Sequence, residues 1–473
     1  MTLSIKSIGS AGNEIPNITN LKVTAFGVET IDIEYKVEDV ELTICRHYLY
    51  LNGSKREITK AVGYESSSNI FKYQITGLKI NTTYTIQIGA SDGLDEGLSQ
   101  AVQQKTKNSV IYGVRVMKNN SNPATCCTYI DSAVGIIPAN SRGFGGWKDK
   151  FPFNKLRIVG LKNGEVVGTV NPENKKHYLG GIRVPDDVDV MVEFPKVYWK
   201  VNTISNGYEI RISEGKFDGA DCYAHKISGV EKSHIYVGAF LGSVQGGKLR
   251  SKADTVVTNQ YSLSDHRTYA HNVGSGYEQL TWFTGKMLQI LYLIAFRNLD
   301  SQKAFGMGGC AATNDRNMTG TTFDKGWIYG DTSDYYQCTC LFGVEGLWDM
   351  FHCLIDGFLY NSSNHVLVNM QNRNFNNNAS GYQDLGSFNL LSGHTAENFT
   401  DVLTTNELVF VPTKNGGSDT TYYCDFGIVA KNSQYCLGGG NFAFPEWSGI
   451  FAFEGDGNFE AQPSQCARLT YLG

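Results

Sequence analysis

The strongest constraint on this chain is the rhythm of its short apolar–polar alternations. NLKVTAFGVETIDIEYKV (Asn20–Val37) sets apolar side chains at alternate positions over two runs joined by a turn, the period of half-buried strands. NIFKYQITGL (Asn69–Leu78) and NTTYTIQIGASDG (Asn81–Gly93) continue the pattern, and SQAVQQKTK (Ser99–Lys107) closes it. Turns at this spacing predict a β-sandwich over residues 16–107, after an N-terminal leader over 1–15. Residues 108–185 are turn-rich and read as a β-rich connecting or assembly region, with a hairpin in GEVVGTVNPENKKHYLGG. DVDVMVEFPKVYWKV (Asp187–Val201) is a strong strand signal that opens a third region, 186–473.

Helical patterning is confined to one stretch. SDHRTYAHNVG, with Ser264 and Asp265 as candidate caps, precedes GYEQLTWFTGKMLQILYLIAFRNLDSQ. Met287–Phe296 is apolar nearly all round, which predicts a buried helix; it is about half the length a membrane span needs. No membrane insertion is expected. After Gly306 short strands and long loops return, including the Asn-rich NMQNRNFNNNASG.

Composition narrows the class. At 473 residues the chain suits two to three domains. Charged residues make up 18% and aromatics 12%, a profile of β-rich proteins with wet recognition surfaces. A net charge of -5 with no basic region argues against nucleic acid as a partner. The start, MTLSIKSIGSAGNE, has no basic run followed by an apolar one, so no signal peptide is expected. Eleven cysteines without regular spacing read as reduced, mostly buried thiols of a protein folded in a cytoplasm.

Two resemblances follow from particular motifs. ITGLKINTTYTIQIGASDG, with Leu78 before Tyr84 and Lys105-Thr106 at the close, resembles the end of a fibronectin type III domain. Many such domains carry an early Trp that is missing here, and Tyr35 is the candidate to fill its place. From residue 110 onward, YGVRV…NPATCCTYIDSAVG, MVEFPKVYWK, HIYVGAF, GYEQLTWFTGKMLQILYLIAFRNLDSQKAFGMG and GLWDMFHCLIDG together resemble phage and prophage tail-fibre proteins. The C-terminal part resembles the C-type-lectin-like fold of formylglycine-generating enzymes and diversity-generating-retroelement targets. One matching block is Gly346–Phe351, where Leu347 stands for an Asn-Val pair; the closing block is Gly438–Gly440, Gly449–Phe451 and Ala467–Leu469. The resemblance implies a multidomain, mainly β protein with an α+β C-terminal part: a fibronectin III-like β-sandwich followed by a C-type-lectin-like fold.

It further implies a receptor-binding protein of the virion tail, made in a bacterial cytoplasm and acting outside the target cell, with a lectin-like domain that is hypervariable in retroelement targets. Its partners would be a bacterial surface receptor, glycan or protein, and other tail or baseplate proteins, in a homotrimer. No cofactor, catalytic residue or metal is expected. The ligand-binding positions carried over are Tyr422, Tyr423, Asp425, Asn441, Phe442, Phe444, Glu446, Trp447, Asp456, Asn458 and Phe459, read as exposed between fixed blocks. Ile450, Phe451 and Trp348 are read as core. Independently of the family, Asn441–Trp447 contains Pro445 and follows three glycines, which makes a poor strand interior and a good platform for rings.

Enzyme chemistry has fewer supports. An oxidase of the formylglycine type needs a close reactive cysteine pair, but Cys466 stands alone near the C-terminus and Cys338-x-Cys340 suits neither zinc nor a redox pair. The NPEN stretch (Asn171–Asn174) superficially resembles a lectin calcium loop but lies far upstream, and GMGGCAAT (Gly306–Thr313) lacks a P-loop Lys. A tail-associated polysaccharide hydrolase would draw on Glu345, Asp349, Asp356 or Asp425, and a purely structural baseplate protein is the third reading. Asp349 is expected to hold loop backbone amides.

Overall fold

The computed structural model describes residues 15–38, 46–309, 318–391, 397–430, 432, 435–440, 445, 448–456 and 461–473. The protein is mainly β, with 45% of residues in strands and 10% in helices. It divides into two units: Met1–Val110 with Gly215–Asp218, and the remainder, Ile111–Glu214 with Gly219–Gly473.

The first unit has two antiparallel sheets. One runs in the order Asn17–Phe26, Ile31–Glu38, Ile70–Ile75, Gly63–Glu65. The other is built on Thr83–Ser91, which pairs with Arg46–Leu51, Glu96–Leu98 and Val102–Lys105. Alternation in Ile31–Glu38 becomes burial directly: Ile31, Ile33, Tyr35 and Val37 point into the core and the residues between them do not. Leu49, Ile75, Ile86 and Ile88 meet them there. Tyr35 is a core residue, its hydroxyl 2.9 Å from Nδ1 of the buried His47. Tyr84 accepts the backbone N–H of Lys79 at 2.8 Å, tying the strand start to the preceding turn.

The second unit is organised by two seven-stranded sheets. In one, the order is Asn174–Tyr178, Glu165–Asn171, Arg157–Lys162, Asp189–Pro195, His234–Gly238, Leu469–Tyr471, Tyr277–Gln279. In the other it is Val411–Asn415, Glu397–Leu403, Phe426–Val429, Gly449–Asp456, Tyr435–Gly439, His352–Ile355, Gln465–Cys466. The last strands of the chain therefore serve both sheets. A four-stranded sheet sets Ile111–Met117 beside Gly207–Ser213.

This pairing corrects the expected division at 185. Strands before that point lie in the same sheets as strands after it: Arg157–Lys162 with Asp189–Pro195, and Ile111–Met117 with Gly207–Ser213. Residues 111–185 are thus part of the second unit's framework and not a separate connector. Turn-rich composition marked loops there but gave no sign of where the intervening strands would pair.

The apolar stretch is the helix Trp282–Phe296, with every residue but Gly285 buried, as its all-round hydrophobicity requires. Its C-terminus is closed by Arg297 in the left-handed region. The shorter helix Leu263–His271 is capped by Ser262, not Ser264; the Ser262 hydroxyl takes the Asp265 N–H and the Asp265 carboxylate takes the Ser262 N–H. Asp265 is the other half of this capping box. No described helix is long and apolar enough to cross a membrane. All nine described cysteines are free thiols, and all but Cys338 are buried.

Candidate functional site

The closing block of the chain forms a hairpin, with Tyr435–Gly439 antiparallel to Gly449–Asp456 and Gly438 facing Phe453. Phe451 and Ile450 are core residues; the Phe451 ring meets Tyr292 of the long helix, Phe410 and Tyr423 edge-on. Gln289 of the same helix donates to the Ile450 carbonyl at 2.7 Å. Trp348 is also buried, its indole N–H donating to the Gly306 carbonyl at 2.9 Å. Side chains of the long helix and of the loops carrying Phe410 and Tyr423 thus pack against the hairpin.

Its open end is pinned as well. Gly439 adopts φ +94°, and a Cβ there would lie 2.4 Å from the Leu347 carbonyl oxygen, so only glycine lets the strand pass over this segment. The Pro445 carbonyl accepts from Gln302 at 2.6 Å and from the Ser448 N–H at 3.3 Å. Asn441, Phe442, Phe444, Glu446, Trp447, Asn458 and Phe459 lie outside the described residues, as does the side chain of Asp456.

Two expected surface residues are not at the surface. Tyr423 is 3% exposed, stacks on Phe399 with ring centroids 4.6 Å apart, and shares a 2.6 Å hydroxyl contact with Tyr208. Asp425 is 1% exposed, and its carboxylate accepts the Phe451 N–H at 2.8 Å. Burial pushes its carboxyl well above the usual range, opposed by the backbone amides of Phe451 and Ala452 and reinforced by Asp300. Both therefore belong to the frame. Tyr422 is half-buried, in the left-handed region, with its N–H on the Ser121 carbonyl at 2.7 Å. The parallel pairing of Phe426–Val429 with Gly449–Asp456 draws this stretch inward, a long-range pairing with no local signature.

On the other side of the Gly346–Phe351 segment lies a cavity of about 240 Å³. Leu241, Val257, Met350 and Phe351 give it an apolar wall, and Glu345 and Asp349 lie buried at its base. Glu345 is fully engaged: it accepts the N–H groups of Gly320 and Thr322, at 2.6 and 2.7 Å, and the Thr322 hydroxyl at 2.8 Å. Burial pushes the Asp349 carboxyl up to about 7, and the Glu345 charge adds to this. The Cys338 thiol and the backbone N–H groups of Gly309 and Met350 act the other way, which fits the expectation that Asp349 serves loop amides. Burial, with Asp349 and Glu345 nearby, pushes the Cys338 thiol well above its ordinary range. Glu345 and Asp349 lie four positions apart on a non-helical stretch, so no spacing rule could join them.

Among the described residues, Asp221, Cys222 and Glu231 have potential ligand atoms within 4.8 Å of one another. Lys226 lies 2.6 Å from Asp221, and Lys196 lies 3.0 Å from Glu231. Two ammonium groups already balance the carboxylates, and burial pushes the Cys222 thiol up to about 12. This cluster is an ion-pair network. His225 is buried and held neutral, its pKa lowered to about 3 by desolvation. The NPEN stretch forms the turn between two paired strands, with the Asn171 side chain taking the Glu173 N–H.

No family model matches the chain, and no curated protein matches it significantly. Among solved structures it is similar over short stretches to a family 28 exopolygalacturonase from Yersinia enterocolitica, at 17% identity over 20% of each chain with a TM-score of 0.17. An endo-beta-1,4-mannanase from Thermotoga petrophila matches at 10% identity over 21% of each chain, TM-score 0.17. The chitinase ChiA74 from Bacillus thuringiensis matches at 15% identity, over 44% of this chain and 24% of its own, TM-score 0.16. The chain spans about a quarter or less of these proteins' lengths.

Proposed function

We propose that this chain is a receptor-binding protein of a phage or prophage tail, acting by adhesion without turnover. The observation that carries the reading is the pinned hairpin. Gly440 and Ser448 are buried on either side of the aromatic-rich Asn441–Trp447 segment, and the Pro445 carbonyl is tethered from Gln302. The described flanks belong to a packed frame, and aromatic side chains bring large contact area at low entropic cost. Phe442, Phe444 and Trp447 are the proposed anchors, and Tyr422, which is half-buried, is a further candidate.

The finer fold belongs to the same proposal. A fibronectin III-like first unit is supported by its two antiparallel sheets and by the Tyr84 hydroxyl bonded to the Lys79 amide, the geometry of a tyrosine corner. A lectin-like second unit is supported by the return of the last strand, Leu469–Tyr471, between His234–Gly238 and Tyr277–Gln279. The first unit would act as a spacer. Trimeric assembly would raise avidity through linked weak contacts.

Adsorption of purified protein to host cells tests the reading, with Phe444→Ala and Trp447→Ala as variants. Loss of adsorption with unchanged melting supports it. Normal adsorption with impaired particle assembly supports the structural alternative instead. Shortening of host polysaccharide on incubation supports the hydrolase reading. A monomeric mass by light scattering at micromolar concentration argues against the trimer.

A further inference from the structure

The cavity beside Asp349 has no part in the pinned hairpin, yet its chemistry is specific. At about 240 Å³ it falls below the ~300 Å³ at which pockets for larger ligands begin, so one ring-sized group fills it. Among the described residues its polar lining is Thr321, Thr322, Gln337, Cys338, Glu345, Asp349 and the two tyrosines. Two carboxyl groups would ordinarily suggest a cation. Here the donors already on these carboxyl groups decide otherwise. The Glu345 carboxylate is taken up by the backbone of Gly320 and Thr322 and by the Thr322 hydroxyl, and Asp349 carries its proton for much of the time near neutral pH. An ammonium group entering the cavity would lose its water and find the Glu345 oxygens already holding three donors. A neutral ligand bearing hydroxyl groups meets no such penalty.

The rim points the same way. Tyr336 is 48% exposed and Gln337 is exposed beside it, while Tyr329 lines the cavity half-buried. A ring with one face of C–H groups can lie on a tyrosine or on the Met350–Phe351 wall while its hydroxyls face the Gln337 amide and Asp349. We propose that this cavity is a subsite for one neutral sugar ring, distinct from the Asn441–Trp447 segment. The inference deepens the adhesin reading, on which it rests for its biological setting, by naming a saccharide as part of the receptor.

The test uses saturation-transfer NMR on the full chain with four probes: the methyl glycosides of glucose, galactose, mannose and N-acetylglucosamine. Tetramethylammonium serves as the cationic competitor. At least one glycoside should bind, Tyr336→Ala and Gln337→Ala should each weaken it by about tenfold or more, and tetramethylammonium should not displace it. Both variants lie at the exposed rim, and unchanged melting checks that they fold. Absence of signal from all four glycosides, binding that persists unchanged in both variants, or displacement by tetramethylammonium overturns the proposal. Cell adsorption keeps the two readings apart. Loss of adsorption in Trp447→Ala without glycoside binding sinks the subsite alone, whereas rim-dependent glycoside binding with normal Trp447→Ala adsorption sinks the aromatic-segment reading alone.

Discussion

Arg468 Nη2 lies 2.5 Å from the carbonyl oxygen of Glu345, across 123 residues of sequence. The same guanidinium donates to the Gly346 carbonyl at 3.0 Å and to the Gly238 carbonyl at 2.9 Å, and Arg468 is 0% exposed. It sits between Gln465–Cys466 of one large sheet and Leu469–Tyr471 of the other, so a single side chain serves the backbone where the two sheets share the chain end. The fork of a guanidinium suits three carbonyls in a way a point charge does not.

Arg468→Ala should leave three buried carbonyls without their donor. At ~1–3 kcal/mol for each unmet group, the second unit should lose several kcal/mol. Arg468→Lys should recover only part, since one ammonium cannot span the three acceptors. Urea denaturation followed by tryptophan fluorescence reads this well, because the six Trp all lie beyond residue 110. Equal stability of Arg468→Lys and the parent would contradict the fork argument.

Gly449 faces Asp425 so closely that a Cβ would lie 2.1 Å from Oδ1 of that carboxylate. Gly449→Ala must therefore displace the carboxylate that accepts the Phe451 N–H, at a cost of about 1–3 kcal/mol for the lost bond alone. Gly416→Ala is the informative control for glycine replacement as such: its φ is +103° but no atom lies within 4 Å of the added carbon. Thermal melting should fall more for the first than for the second.

Two buried groups tilt stability with pH in opposite directions. Burial lowers Lys286 from 10.5 to about 7, so between those values the unfolded chain binds a proton that the folded chain lacks. Stability should rise with pH across that window, by at most on the order of 1 kcal/mol per pH unit. Asp349 is raised from 3.8 to about 7, so there the folded chain binds the extra proton and stability should fall as pH rises through that interval. Lys286→Met should flatten the upper slope, and Asp349→Asn the lower one. Denaturant midpoints at half-unit pH steps check both, and an unchanged slope in either variant refutes its assignment.

Tyr84→Phe removes the hydroxyl that takes the Lys79 N–H while keeping the ring in the first unit's core. A loss of about 1 kcal/mol is expected in that unit. Because the unit contains no Trp, amide hydrogen exchange followed by mass spectrometry is the suitable readout. Faster exchange should be confined to its peptides, and spread into the Trp282–Phe296 helix would count against the assignment.

How much was legible beforehand depended on the range of the interaction involved. Ile31–Glu38 and Trp282–Phe296 could be read directly, since strand alternation and an all-apolar helix are written in adjacent residues. The residues of Asn441–Trp447 stood out by composition, and Ile450, Phe451 and Trp348 were recognisable as core from their place in the glycine-marked blocks. Tyr423 and Asp425 read as surface residues from sequence, because a Tyr and an Asp are buried only when a distant Tyr208 hydroxyl and Phe451 amide are there to meet them. The same holds for the membership of residues 111–185 in the second unit and for the cavity floor of Glu345 and Asp349.

By itself, the sequence determined the local elements: which runs extend, which stretch coils, and where glycine must break the pattern. Tertiary structure alone decided which polar side chains go inside and which strands share a sheet. The physical reason is that backbone periodicity is set within a few residues, whereas a buried polar group is tolerable only once partners far along the chain have arrived to satisfy it.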